Sequence, residues 1–131
     1  MDNSKEALRV YFSKKRGALS PEIQDSYSLD IANLCLKLPI WELEYFHLFL
    51  PISSKSEVDT TLMLTLLQGR DKQIILPKVA GDNVLEHILL TDGTKITNNS
   101  WGIPEPQEGI KIDPLQLDVV FIPLLAFDKS G

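Results

Sequence analysis

Residues 44–50 read Glu-Tyr-Phe-His-Leu-Phe-Leu, and Pro51 ends the run. The run is short, apolar and rich in aromatic side chains, which predicts a strand rather than a helix. Its apolar residues are continuous instead of alternating with polar ones. A strand of that kind is buried on both faces, as in a parallel sheet covered by helices. Three further runs read the same way. They are residues 73–76, stopped by Pro77; residues 84–90, followed by an Asp92-Gly93 turn; and residues 117–122, stopped by Pro123.

Helical patterns fill the intervals. Asn3 and Ser4 are good helix caps, and residues 5–16 run without Gly or Pro up to Gly17. Leu8, Tyr11 and Phe12 give this helix one apolar side, and Lys5 and Arg9 lie one turn apart on a common face. Ser20 caps a second helix that opens with Pro21, where a missing N–H does no harm. Ile23, Tyr27, Ile31, Leu34 and Leu38 form its apolar stripe up to Pro39, with Cys35 beside them. Cys35 reads as a small buried hydrophobe, not a reactive thiol. Ser56 and Asp59 match a capping box, and the helix they open continues through Val58, Leu62, Met63, Leu66 and Leu67 to Gly69. Residues 98–113, rich in Asn, Gly and Pro, read as irregular.

Helices alternating with apolar strands predict an α/β fold with an open, mostly parallel sheet and helices on both faces. No repeat or linker divides residues 1–131, so a single domain is expected. Only three helices accompany four strands, and residues 117–127 are almost wholly apolar. A strand that apolar needs cover on both faces. The C-terminal part of the domain is therefore expected to be missing, with a covering partner chain as the alternative.

Composition narrows the function. With 131 residues, 44% hydrophobic and 24% charged, the chain is neither collagen-like, coiled-coil nor an acidic disordered tail. The net charge of −5 divides into +3 over residues 1–16 and −8 over the rest. An acidic body argues against general nucleic-acid binding, while the basic start suits one compact anion or is a solvated tail. No apolar run reaches the roughly 18 residues of a membrane span, and no secretory signal precedes the first helix. A single cysteine allows no internal disulfide, and the simplest compartment is a reducing one, the cytoplasm.

Glycine-rich dinucleotide and P-loop motifs and the G-x-S-x-G elbow are absent. His47 and His87 lie in apolar strands without other ligands at metal spacing, so no metal site is expected in this chain. Three features remain. Lys5 with Arg9 suits phosphate through charge-assisted hydrogen bonds, or is a solvent-facing pair. Glu57, Asp59 and Thr60 fall in the first turn after a strand-to-helix loop, where ligand crevices of open α/β sheets form. Asp59 suits the helix dipole there, which leaves Glu57 the freer candidate. Trp101 offers a flat face for a planar heterocycle, or plugs the core edge.

The order of segments is more specific than any one of them. Lys-Glu-Ala-Leu-Arg at 5–9 is followed by Leu19-Ser20, Glu57-Val58-Asp59-Thr60 and Leu76-Pro77-Lys78-Val79. Trp-Gly-Ile-Pro-Glu-Pro at 101–106, Leu-Asp-Val-Val-Phe-Ile-Pro at 117–123 and Ala126-Phe127-Asp128 complete the series. From Lys5 to Gly131 it resembles the 5-formyltetrahydrofolate cyclo-ligases, also called 5,10-methenyltetrahydrofolate synthetases.

The resemblance implies a sheet like that of the ribose-phosphate isomerase and CoA-transferase group. It implies closure of the formyl group of 5-formyltetrahydrofolate onto N10, with ATP hydrolysed to ADP and phosphate and Mg2+ as the cofactor of the nucleotide. The formyl oxygen is phosphorylated, N10 attacks, and phosphate leaves. Lys5 and Arg9 match the family's ATP-phosphate residues. Glu57 and Trp101 match the folate pocket, lined also by Leu50 and Ile52. No catalytic residue is assigned, because the family's glycine-rich nucleotide loop follows the segment that ends at Gly131. The 131-residue chain alone is accordingly expected to be inactive, and the full-length protein a monomer. Leu124 stands where the family has glycine. The alternatives are a non-catalytic folate- or nucleotide-binding relative and a half-domain completed by another chain.

Overall fold

Tyr45–His47 forms strand β1, the centre of the fold in a computed structural model that describes residues 3–131. The other elements are helices α1 (Lys5–Gly17), α2 (Pro21–Cys35) and α3 (Thr61–Gly69) and strands β2 (Gln73–Gly81), β3 (Val84–Leu89), β4 (Ile96–Asn98), β5 (Pro104–Pro106) and β6 (Val119–Val120). The main sheet has the order β3-β2-β1-β6. β1 is parallel to both β2 and β6, and β3 is antiparallel to β2. The sheet is thus mixed and mostly parallel, as expected of an α/β fold.

Register decides which residues share a face. Phe46 lies opposite Ile74 on one side and Val119 on the other. Phe46, Leu48, Ile74 and Leu76 form one buried cluster with Ala32 of α2 and Met63 and Leu67 of α3. Trp41 stacks on Phe46 at 5.9 Å between ring centroids, and the Arg70 guanidinium lies 4.6 Å above the Trp41 ring. His47 pairs with Ile75 and Val120, so these three point to the opposite face. Val120 is half exposed there, and Ile122, Leu124 and Phe127 are exposed beyond it.

The caps of α1 and α2 form as the sequence dictates. Ser4 Oγ accepts from the Ala7 N–H, and Ser20 Oγ from the Ile23 N–H, each at 3.2 Å. Other expectations are corrected. The apolar stripe of α2 is not its packed side: Ile23, Tyr27, Ile31, Leu34 and Leu38 are all exposed, and Ser28 and Ala32 are buried instead. Small side chains let α2 approach the core closely, and the Ser28 hydroxyl accepts the Asp59 N–H at 2.9 Å. The helix ends at Cys35, short of Pro39.

No box forms at Ser56 and Asp59. Ser56 has φ +52°, α3 starts at Thr61, and the Asp59 carboxylate turns forward to the Thr61 N–H and hydroxyl.

Pro77 does not stop its strand. Gln73 donates to Glu44 on the β1 side, and by the two-residue period Pro77 aims its nitrogen the same way. β1 has ended by then, so no ladder bond is lost. The segment read as irregular contains a hairpin: β4 and β5 pair antiparallel across residues 99–103. Asn99 builds its loop, accepting from the Trp101 and Ile103 N–H groups, and Gly102 supplies the φ of +78°. The fourth apolar run pairs only at Val119–Val120, tied to the start of β1 by Asp118. Its carboxylate accepts from the Glu44 and Tyr45 N–H groups at 3.0 and 2.8 Å, which holds its pKa below the usual value.

Candidate functional site

Chain order reverses at β1: from there the chain builds outward through β2 and β3, then returns to add β6 on the other side. Open α/β sheets bind ligands beyond the carboxyl ends of their strands at such a point. A cavity of about 240 Å³ lies there. Leu48 and Phe49 follow β1 into it, and the run from Phe121 to Leu124 enters it after β6. Glu57, Val58 and Thr60 come from the β1–α3 loop, Met63 from α3, Ile31 and Cys35 from α2, Arg16 from α1, and Phe127 from the rim.

The β1–α3 loop is held by its own polar groups. The buried Thr60 hydroxyl donates to the Phe49 carbonyl at 2.6 Å. Glu57 Oε1 accepts the Ile52 N–H at 2.6 Å. That bond fixes the carboxylate and leaves Oε2 without a protein partner among the described residues. Burial pushes the Cys35 thiol pKa up, which keeps it protonated and unreactive. Its role is that of a half-buried wall residue.

The expected site residues fall in different places. Glu57 lines the cavity. Leu50 is half-buried against the core cluster, and Ile52 serves the site through its backbone bond to Glu57. Trp101 is not brought to Glu57. It is 67% exposed and lines a second, open cleft with Val79, Gly81, Asp82, Asn83, Val84, Leu85 and Ile103. The β4–β5 hairpin is tied to β2 by the Val79 N–H, which the Glu105 carboxylate accepts at 3.0 Å, and its loop lies at the end of the β2–β3 hairpin. Lys5 and Arg9 are exposed on α1 and form no ion pair among the described residues. Leu124 lines the cavity without a positive φ, so leucine is unstrained there.

Arg16 lines the cavity and was not singled out from the sequence. The signal was present. At 3.6 residues per turn, positions 5, 9 and 16 fall within about 40° of one another on the helix. Its Nε is buried and has no hydrogen-bond partner among the described residues.

His47 and His87 meet across the sheet, with His87 Nδ1 and His47 Nε2 3.1 Å apart. Burial first, and the charge of His87 second, lower the His47 pKa to about 4. Among the described residues no group of three or more His, Cys, Asp or Glu is arranged to hold a metal ion.

The profile of the 5-formyltetrahydrofolate cyclo-ligase family matches residues 1–131. The chain belongs to this family. A probable 5-formyltetrahydrofolate cyclo-ligase of Schizosaccharomyces pombe is 31% identical over 135 residues, covering 99% of this chain and 66% of the relative. The solution structure of Aquifex aeolicus 5,10-methenyltetrahydrofolate synthetase superposes with a TM-score of 0.84 at 31% identity, covering 97% of this chain and 64% of that one. A 5,10-methenyltetrahydrofolate synthetase from Mycoplasma pneumoniae gives a TM-score of 0.69 at 26% identity, covering 98% and 68%. The chain therefore spans just under two thirds of the length of the first two relatives.

Proposed function

We propose that this chain carries folate- and ATP-binding parts of an enzyme that converts 5-formyltetrahydrofolate to 5,10-methenyltetrahydrofolate, with ATP hydrolysed to ADP and phosphate. The observation that carries this reading is Glu57, fixed by the Ile52 N–H on the wall of an otherwise largely apolar cavity at the switch point of the sheet. A pterin ring is planar and presents adjacent N–H donors on one edge. A carboxylate with a free oxygen accepts from such an edge, and the apolar walls exclude water from the ring.

Lys5 and Arg9 hold the phosphates of ATP from the exposed face of α1. Trp101, with its free indole face, contacts the part of the folate that extends outside the cavity. Mg2+ enters with the nucleotide, since this ion keeps most of its waters and binds through substrate phosphates. No protein-built site for it is derived from the residues described. The chemistry needs little beyond alignment and charge stabilisation, because phosphorylation turns a poor leaving oxygen into a good one. Cytoplasmic location and a monomeric state belong to this reading.

Glu57→Gln tests it. The carboxamide turns a donor toward the pterin donors, so affinity for 5-formyltetrahydrofolate should fall about 10–100-fold while ATP binding is retained. Unchanged folate affinity, measured by calorimetric titration, overturns the reading. Lys5→Ala with Arg9→Ala should weaken ATP and spare folate.

A second reading is favoured by one observation. Ile122, Leu124 and Phe127 all line the cavity and are 65–80% exposed. The site is then completed by further polypeptide, and residues 1–131 alone do not turn over. Methenyl-folate formation by the isolated chain overturns that.

A further inference from the structure

Among the described residues, Arg16 is the only cation on the cavity wall. Most of the lining, such as Ile31, Phe121, Ile122 and Leu124, offers no side-chain oxygen, and Glu57, the carboxylate that also lines the cavity, forms no ion pair with Arg16. Its Nε is buried with no acceptor, and no carboxylate pairs with its guanidinium among the described residues. A buried charged donor without an acceptor is destabilising, and binding an anion removes that penalty. The fork of guanidinium N–H groups suits a phosphate geometrically.

The position says which anion. Lys5, Arg9 and Arg16 lie on one face of α1, with Arg9 and Arg16 about 10 Å apart along the axis at 1.5 Å per residue. That row is exposed at Lys5 and Arg9 and ends inside the cavity that Glu57 also lines. A chain of phosphates laid along α1 delivers its terminal group at Arg16, beside the folate.

We propose that Arg16 binds the terminal phosphoryl group of ATP and stabilises its charge during transfer. The inference rests on the cyclo-ligase reading for the identity of the anion. In the step concerned, the formyl oxygen forms a bond to the γ-phosphorus. The bond from that phosphorus to its bridging oxygen breaks, and ADP leaves with the electron pair. Arg16 donates to the non-bridging oxygens throughout.

The test uses the 131-residue chain with three probes in separate calorimetric titrations: tripolyphosphate, ATP and 5-formyltetrahydrofolate. Arg16→Gln should bind tripolyphosphate and ATP at least tenfold more weakly and 5-formyltetrahydrofolate within about twofold of wild type. Tripolyphosphate should raise the melting temperature of the wild type and not that of Arg16→Gln, a difference that a purely structural arginine would not produce. Arg16→Lys keeps the charge without the fork and should also bind tripolyphosphate more weakly, which keeps the test decisive should the Gln variant not fold. Equal tripolyphosphate affinity in wild type and variants overturns the proposal, as does a wild type that binds none. A loss confined to 5-formyltetrahydrofolate also overturns it, and assigns Arg16 to the folate carboxylates. Arg16-dependent tripolyphosphate binding without any 5-formyltetrahydrofolate binding supports the phosphate site and overturns the cyclo-ligase reading instead.

Discussion

Phe46 and His47 are neighbours on one strand and live in different surroundings. Phe46 is fully buried among Leu48, Ile74 and Leu76, under Ala32, Met63 and Leu67 of the two helices. His47 is also buried, yet its Nε2 meets His87 and its Nδ1 has no partner among the described residues. Across β6 the contrast widens, since Val119 packs against the core cluster and Val120 is 48% exposed. One face of the sheet holds the fold together. The other is open along β6 and carries a titratable pair.

The largest effect is expected on the first face. Phe46→Ala removes a fully buried ring stacked on Trp41 and should lower stability by about 3–5 kcal/mol in denaturant unfolding. A loss below 1 kcal/mol would erase the difference between the faces. The next effect belongs to His47. Its folded pKa of about 4 lies below the ordinary value near 6.5, so between these limits the unfolded chain binds a proton that the folded chain refuses. Stability is complete above the upper limit and declines as the pH falls through the window, by about 3 kcal/mol at pH 4. Unfolding curves collected from pH 7 to pH 4 measure the decline. His47→Gln should flatten it, and an unchanged slope in that variant would assign the loss to other groups. The smallest effect is Val120→Thr, expected within about 0.5 kcal/mol because the side chain is half in solvent already. A cost comparable to that of Phe46→Ala would mean that the β6 side of this face is covered.

The legible parts of the sequence were those with a local cause. Ser20-Pro21 specifies a helix start on its own, and the short aromatic-rich run at 45–50 specifies a strand that buries Phe46 and Leu48. What escaped depended on partners distant in sequence. The packed side of α2 is set by how closely α3 and the sheet approach, so Ser28 and Ala32 displace the larger Ile23 and Tyr27. Continuation of β2 through Pro77 depends on where β1 ends, which no property of residues 73–81 records. The same limit governed the site. Glu57 follows β1 on the loop to α3 and lines the cavity beyond that strand. Trp101 hangs on a hairpin tied to β2 through Glu105 and the Val79 N–H, and its separation from Glu57 was not readable. Arg16 escaped for a different reason: the spacing was there, but the burial of its Nε beside the cavity is a property of the folded chain that α1 alone does not record.

Pro77 also has a consequence for how the protein behaves in a crowded solution. Past the end of β1, the rim of β2 presents two positions where another molecule's backbone could dock. The proline offers no amide hydrogen at the first, and Glu105 takes the Val79 amide at the second, 3.0 Å away. A stray extended chain finds no donor to pair with along that stretch, so the longest strand of the sheet is a poor seed for aggregation.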